Sequence, residues 1–323
     1  MMSDRYDISV VLSTYNRCLI LPFALDSVLQ QTPGDVSWEV IVVDNNSSDE
    51  TEAVVASFIG RGHSNLHYVF EGRQGVSYAR NAGIERARAP IIAFFDDDVC
   101  VSPTWVATIK RAFDDHAEAD CVGGSVLPRW ELDPPSWLTR EHWAPLALQD
   151  YGDQPISVNR NNPLCLLSAN FAFRREVFEQ IGLFEPELQR VKEGIGSMED
   201  LELLTRFWRA GGNALYLPSL TVTANVPAER LTKRYHRKWH TGHGHFYALL
   251  RSDEIERSRA GRLFDVPAHL YKQAMKDALR WLKHQLPGGS DAAFTYETRL
   301  RFFAGFFRKR RADFLARTTE APR

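Results

Sequence analysis

Gly75 to Asp98 reads GVSYARNAGIERARAPIIAFFDDD: a helical stretch, a break at Ala89-Pro90, then a five-residue apolar run that ends in three carboxylates. The run Ile91 to Phe95 is near-continuously apolar and of strand length, which predicts a strand covered by helices on both faces. Working outward, Ile8 to Ser13 (ISVVLS) and Trp38 to Asp44 (WEVIVVD) have the same texture. Between the three lie segments of helical character: Leu19 to Gln31, Glu50 to Ile59 and Gly75 to Ala89. Strand alternating with helix predicts βαβ units and a mostly parallel α/β sheet flanked by helices.

In an open parallel sheet, ligands bind outside the carboxyl ends of the strands. Three polar groups follow the three runs: Thr14-Tyr15-Asn16-Arg17, Asp44-Asn45-Asn46-Ser47-Ser48-Asp49 and Asp96-Asp97-Asp98. The last is the most informative, because three adjacent carboxylates repel one another unless a cation neutralises them. Oxygen ligands suit Mg²⁺ or Mn²⁺, and few protein ligands leave room for diphosphate oxygens. The competing reading of D-D-D is a solvated helix cap. Asp44 in D-N-N-S-S-D is also good turn chemistry. Arg80-Asn81 would bring a cation and an amide to the same rim, or Arg80 is a solvated helical arginine.

Downstream, Ser102-Pro103 opens a helix to about His116, and Cys121 to Val126 is the next strand. Pro128 to Pro163 is rich in Pro, Trp and Asn and has no clear period; a loop this long is functional or poorly ordered. Trp130, Trp137 and Trp143 within it would stack on an acceptor sugar or pack against their own domain. Pattern returns at Leu164 to Phe173, in a short helix from Arg175 to Ile181, in a loop bearing Gly194 and Gly196, and in a helix from near Met198 that Gly211-Gly212 ends. Ser197 and Asp200 fit a capping box, so Glu199-Asp200 is either a cap or an acid–base pair beside a closing loop. A first-turn carboxylate loses proton affinity through the helix dipole, which argues against a strong base.

From Ala228 the chain reads as helical and increasingly basic, with helices opened at Pro227-Ala228 and Pro267 and a break at Pro287-Gly288-Gly289. Phe302, Phe303, Phe306 and Phe307 fall on one side of the last helix, and Arg308-Lys309-Arg310-Arg311 follow. That composition suits either an interfacial membrane anchor or a helix docked on its own domain. His236, His240, His243 and His245 form a polar helix face or a weak metal cluster.

The 323 residues have a net charge of -2, which gives no polyanion-binding signal, so nucleic acid is not an expected partner. Cys18, Cys100, Cys121 and Cys165 are widely spaced, as expected of reduced thiols. The opening MMSDRYD lacks the pattern of a signal peptide and no apolar run is long enough to cross a bilayer. The expectation is a cytoplasmic protein, either free or on the cytoplasmic face of a membrane.

Together these segments resemble glycosyltransferase family 2. ISVVLSTYNR (Ile8 to Arg17) looks like that family's opening strand and loop, VVDNNSSDET (Val42 to Thr51) like its acidic turn, and Gly75 to Asp98 like its ARN helix and D-x-D strand. SANFAFRREVFEQIGLFEPEL and MEDLELLTRFWRAG resemble its acceptor-side segment and E-D helix. The similarity covers about residues 7 to 126 and 164 to 218. It implies a GT-A, Rossmann-like fold with a C-terminal helical extension: a catalytic domain over 1–227, with a nucleotide-sugar half to about 126 and an acceptor half over 127–227, then 228–323. It further implies an inverting transfer from a nucleotide-sugar, UDP-sugar by first choice, to a hydroxyl on a carbohydrate or lipid-linked acceptor in polysaccharide, lipopolysaccharide or glycolipid synthesis.

Residue by residue, the resemblance puts Asp44 on the nucleobase or ribose, with Thr14, Tyr15 and Arg80 completing the nucleotide pocket and Asn16 and Asp97 counted with them. Asp96 would lie near the ribose, Asp98 would bind the divalent metal, Asp200 would be the general base with Glu199 beside it, and Asn170 would line the sugar pocket. One departure is Asn225, which stands where many relatives carry a histidine; that role is lost or passes to the His236–His245 cluster. The rival readings are a metal-dependent nucleotidyl or phosphoryl transferase, which would need a phosphate loop such as G-x-x-x-x-G-K-[ST] that does not occur here, and a nucleotide-sugar-binding protein without turnover.

Overall fold

A computed structural model describes residues 6–32, 34–189, 198–258, 261–285 and 291–320. Gly194, Gly196, Ser197 and the Pro287-Gly288-Gly289 break lie outside the described residues. The chain divides into two compact units, one of Met1–Arg129, Ala147–Lys192 and Glu199–Asn225, the other containing Trp130–Leu146 and the chain from Val226.

The first unit opens with β1 (Ile8–Thr14), α1 (Leu21–Leu29), β2 (Trp38–Asp44), α2 (Thr51–Gly60), β3 (Leu66–Phe70), α3 (Val76–Arg86) and β4 (Ile91–Asp96). It continues through β5 (Val99–Val101), α4 (Trp105–Asp115), β6 (Cys121–Trp130), β7 (Ile156–Val158), β8 (Phe171–Arg174), α5 (Arg175–Ile181), α6 (Glu199–Arg209) and β9 (Ala214–Val226). Among the described residues these strands form one sheet in the order β3-β2-β1-β4-β8-β6-β9-β5, with β7 also on β9. The β3-β2-β1-β4 half is parallel, as the alternation predicts. Pairing turns antiparallel where β8 meets β4 and where β5 and β7 meet β9. β3 (LHYVF) is short, interrupted by His67 and only partly buried, so it lacks the continuous apolar run by which β1, β2 and β4 are read from sequence.

Parallel register brings Thr14 level with Asp44 and Ser13 level with Asp96, so three polar strand ends share one edge. Beneath them, α3 packs on β1 and β2. Gly83 permits this approach, since a Cβ there would lie 2.3 Å from Val11 Cγ1. On the same face, around β4 and β8, Phe94, Phe171, Phe173, Phe178 and Phe207 make edge-to-face and tilted ring contacts that fasten α5 and α6 to the sheet. A second buried device sits at the opposite end of β1 and β2: Glu39 accepts from Ser9 Oγ at 2.6 Å and from the Arg88 main chain and guanidinium.

The second unit contains α7 (Lys233–Leu250), α8 (Asp253–Glu256), the β10–β11 hairpin (Arg262–Leu263 with Val266–Pro267), α9 (Ala268–Lys283) and α10 (Ala292–Glu320). α7 starts after a 3-10 turn at Ala228–Leu231, with Thr232 as its N-cap accepting from the Tyr235 N–H. α7 and α10 touch backbone to backbone at two glycines. A Cβ on Gly244 would sit 2.0 Å from Phe302 O, and one on Gly305 would sit 2.0 Å from Thr241 O. The phenylalanine stripe of α10 is packed inside this unit, with Phe303 and Phe306 buried and Phe302 and Phe307 against a core of Ala248, Ile255 and Val266. Arg310, from the basic run, is also buried, paired with Glu256 and Asp265.

The histidines differ from the expected polar helix face. His236 is fully buried among Trp137, His142 and Phe294, and Trp239 stacks on His243. Trp137 therefore packs in its own unit. Neither His236 ring nitrogen has a hydrogen-bond partner among the described residues. No group of three or more His, Cys, Asp or Glu among the described residues is arranged to hold a metal ion.

Two outcomes follow from the packing. Gly83→Ala must displace Val11 or α3, and is expected to lower stability by ~1–3 kcal/mol, read as a fall in Tm without loss of secondary structure. Burial, with a contribution from His142, pushes His236 down to about 4; burial, with neighbouring histidines, takes His240 to about 3, and burial takes His243 to about 4. An unfolded histidine titrates near 6.5, so below that pH the unfolded chain binds more protons. The contribution of the neutral buried rings is complete above that value and is lost as pH falls towards about 4. Calorimetric unfolding should show Tm dropping across this window, with a shallower drop in His236→Phe; equal slopes for the two proteins would remove His236 as a cause.

Candidate active site

Arg80 projects from α3 into the edge where β1, β2 and β4 end. It is buried, and its guanidinium reaches Asp96 at 3.2 Å, Glu199 at 3.2 Å and Asp200 at 3.4 Å. The Phe184 ring lies 5.4 Å from its guanidinium carbon. One cation thus gathers carboxylates from the end of β4 and the start of α6, elements separated by more than a hundred residues. Burial works against the charged guanidinium, but Asp200, Asp96 and Glu199 outweigh it and hold its pKa above the ordinary value. The solvated-arginine reading of Arg80 is set aside by this burial.

The carboxylates outnumber their cation. Burial raises the Asp96 pKa, with Asp98 and Asp200 adding to the effect and Arg80 opposing it. Asp97 is pushed up to about 7 by burial and by Asp98, against Arg17 and a hydrogen bond from Thr14 Oγ1 at 2.8 Å. Asp98 is half-buried, and its carbonyl accepts from the Asn225 N–H at 2.9 Å. Asn225 is thereby set beside Asp98, through the β5–β9 ladder, and its side chain accepts from Arg129 at 3.0 Å.

Asp200 uses its second oxygen to accept from Ser168, from the N–H at 3.0 Å and the hydroxyl at 2.9 Å. Its pKa is raised, first by burial and then by Glu199, with Arg80 and Ser168 opposing. Burial thus acts on Asp200 in the sense opposite to the helix-dipole expectation. Glu199 Oε2 is buried with no hydrogen-bond partner among the described residues.

At the end of β2, Asp44 is buried and accepts from the Ser47 N–H at 2.9 Å and from Tyr68 OH at 2.8 Å. Burial and then Asp44 push the Tyr68 phenol up. Tyr68 comes from the β3 strand that the pattern did not disclose. Tyr15 is half-buried at this rim. Asn16 takes a left-handed φ of 51° and accepts from the Ser48 N–H at 2.7 Å, so its side chain ties the first loop to the second. Asn45, not singled out from sequence, accepts from the Gly75 N–H at 2.7 Å and donates to Arg73 O at 2.7 Å, fixing the entry to α3 where Gly75 has φ 143°. Its place in a turn-like D-N-N-S-S-D run hid that task.

Asn170 stands apart from this group. It is fully buried, accepts from Trp105 Nε1 at 2.8 Å, and donates to Ser125 O at 2.9 Å and Leu220 O at 2.8 Å. Its amide braces β6 and β9, and both of its N–H groups are used.

Comparison with known proteins agrees with this geometry. The model of "Glycosyl transferase family 2" matches residues 9–182. A glucosyl-dolichyl phosphate glucuronosyltransferase of Haloferax volcanii is 30% identical over 186 residues, 57% of this chain and 57% of that protein, so the chain spans little more than half of that relative. The mannosyltransferase PcManGT of Pyrobaculum calidifontis, solved with GDP-Man and Mn²⁺, superposes over 99% of this chain and 77% of its own with a TM-score of 0.56 at 19% identity. TarS 1–349 of S. aureus, solved with UDP, covers 98% of this chain and 93% of its own with a TM-score of 0.54 at 16% identity. The family match takes in every strand end and helix that builds the Arg80 rim except α6, and it runs over more than half of the sequence: the chain belongs to glycosyltransferase family 2, on a GT-A fold.

Proposed function

We propose that this chain is a metal-dependent, inverting glycosyltransferase that moves a sugar from a nucleotide-sugar, UDP-sugar by first choice, to a hydroxyl of a carbohydrate or lipid-linked acceptor. The observation that carries the reading is the Arg80 cluster, which holds an acid from the strand-end D-D-D group against the Glu199-Asp200 pair. Donor-side and acceptor-side chemistry are thereby within one cluster. The family membership and a structural neighbour solved with GDP-Man and Mn²⁺ support it, as does a second solved with UDP. The catalytic domain is proposed as residues 1–227 with 228–323 as its helical extension, and the setting as the cytoplasm or the cytoplasmic face of a membrane. Among the described residues no helix is long and apolar enough to cross a bilayer.

The chemistry of the strand-end donors suits a hard divalent cation: Asp96, Asp97 and Asp98 offer carboxylate oxygens, the ligand type that Mg²⁺ and Mn²⁺ take. Asp98 would hold Mg²⁺ or Mn²⁺, with diphosphate oxygens completing the shell. When bound, such an ion neutralises charge on the departing diphosphate. Asp44, with Thr14 and Tyr15, is assigned to the nucleoside. Asp96 is assigned to the ribose side, and Arg80 to keeping it aligned with α6. Asp200, its proton affinity raised by burial, takes the proton of the acceptor hydroxyl as that oxygen attacks the anomeric carbon from the face opposite the leaving group. A single displacement inverts configuration. We assign Asn16 and Asn170 to holding the loops and strands that carry the site.

Asp98→Ala should abolish metal-dependent binding of nucleotide diphosphate, measured by calorimetry with Mn²⁺. Relief of carboxylate repulsion should leave Tm without metal unchanged or higher. Wild-type binding in this variant at ordinary metal concentration would refute the metal assignment. Asp200→Asn keeps an oxygen for the Ser168 bonds and is expected to fold, with a loss on the order of 1–3 kcal/mol. Transfer should fall at least ~100-fold with donor affinity nearly unchanged, because an amide cannot accept the proton. Glu199→Gln, assayed in parallel, separates the two acids: a large loss confined to that variant would move the base to Glu199 Oε2.

A further inference from the structure

α9 is turned inside out. Met275, Leu279 and Leu282 are 61%, 64% and 55% exposed, while the carboxylate-bearing Asp277 is 1% exposed. At about 100° per residue, the three apolar side chains occupy one narrow stripe, and Asp277 lies about 200° around the helix from Met275. Asp277 is held on the inner face by Gln273 at 3.2 Å and lies 3.9 to 4.0 Å from Arg280 and Arg299. A helix whose outer face meets water has the opposite arrangement. Three exposed large apolar residues in one stripe mark a surface made to be covered.

The flank of that stripe identifies the cover. Lys272, Lys276 and Lys283 are exposed and follow the apolar residues around one side of the helix. The only acidic residue of α9 is the inward Asp277. At the start of the helix the stripe continues into Tyr271, one turn before Met275, which lines an apolar cleft of about 530 Å³ together with Leu263, Phe264, Phe307 and Leu315. Leu263 and Leu315 are themselves 56% and 44% exposed, and Arg308 and Arg311 stand at the cleft's rim. An apolar surface bordered by lysine and arginine, with no exposed acid on α9, matches a layer of acyl chains beneath anionic headgroups.

We propose that the second unit docks peripherally on an anionic lipid bilayer through the outward face of α9, with Met275, Leu279 and Leu282 at acyl depth and Lys272, Lys276 and Lys283 at the phosphates. The α10 phenylalanines, packed in their own unit, do not supply this contact. The inference uses only the second unit and does not depend on the catalytic reading.

The full chain is tested by co-sedimentation with phosphatidylcholine vesicles with and without phosphatidylglycerol. Binding is expected only when phosphatidylglycerol is present, and to weaken with added salt. Leu279→Glu combined with Leu282→Glu should lower the partition coefficient at least ~10-fold, as should Lys272→Gln with Lys276→Gln and Lys283→Gln. All five positions are exposed, so both variants should keep the wild-type Tm and nucleotide affinity. Equal partition of either variant and the wild type overturns the proposal. So does a wild-type dimer, seen by sedimentation velocity, that binds no vesicles and is split by the Leu279→Glu and Leu282→Glu pair; that result assigns the face to a second copy of the chain.

Discussion

A buried guanidinium is expensive to desolvate, and at Arg80 that cost is met by three carboxylates that are no better placed without it. The dependence is mutual. Asp96 leaves the end of β4 beside Asp97 and Asp98, and Asp200 begins α6 beside Glu199, so each acid already carries a like-charged neighbour. Remove the cation and two acid groups confront each other in a site with little water to screen them. Much of the first unit serves to deliver this one side chain. Gly75 lets the chain turn into α3, Asn45 clamps that turn, Gly83 brings α3 down onto Val11, and the phenylalanine layer fixes α6 on the same face.

Arg80 is committed to Asp96, Glu199 and Asp200, and Thr14 and Arg17 only partly offset Asp97. Burial raises the proton affinity of Asp96, Asp97 and Asp200 alike, and Arg80 opposes it at Asp96 and Asp200. At the end of β2 the partners are neutral instead, with Tyr68 and the Ser47 N–H orienting Asp44.

The second unit buries polar groups beside an apolar core of Ala248, Ile255, Val266 and Phe306. Its two long helices meet at glycines, and His236 is enclosed by aromatic rings and kept neutral. Its hairpin is tied down by arginines on Asp265. α9 keeps Asp277 inside and Leu279 and Leu282 out.

The sequence determined the parallel half of the fold almost unaided, because a strand covered on both faces must be apolar throughout, and β1, β2 and β4 are. Their ends had to share an edge, and the three adjacent carboxylates there are what the proposed cation site rests on. The short strand β3 escaped because an edge strand with one wet face has a weak pattern, and Tyr68 escaped with it. The bracing bonds of Asn45 and Asn170 were not legible, because an amide that braces a loop and one that faces a ligand look the same in one dimension. Only the tertiary structure decided what Arg80 is for, since its three partners come from opposite ends of the catalytic unit. The same holds for the proton affinity of Asp200. The sequence specifies a first-turn dipole that lowers it, and only folding supplies the burial that raises it, because desolvation depends on what surrounds a group and not on its neighbours along the chain.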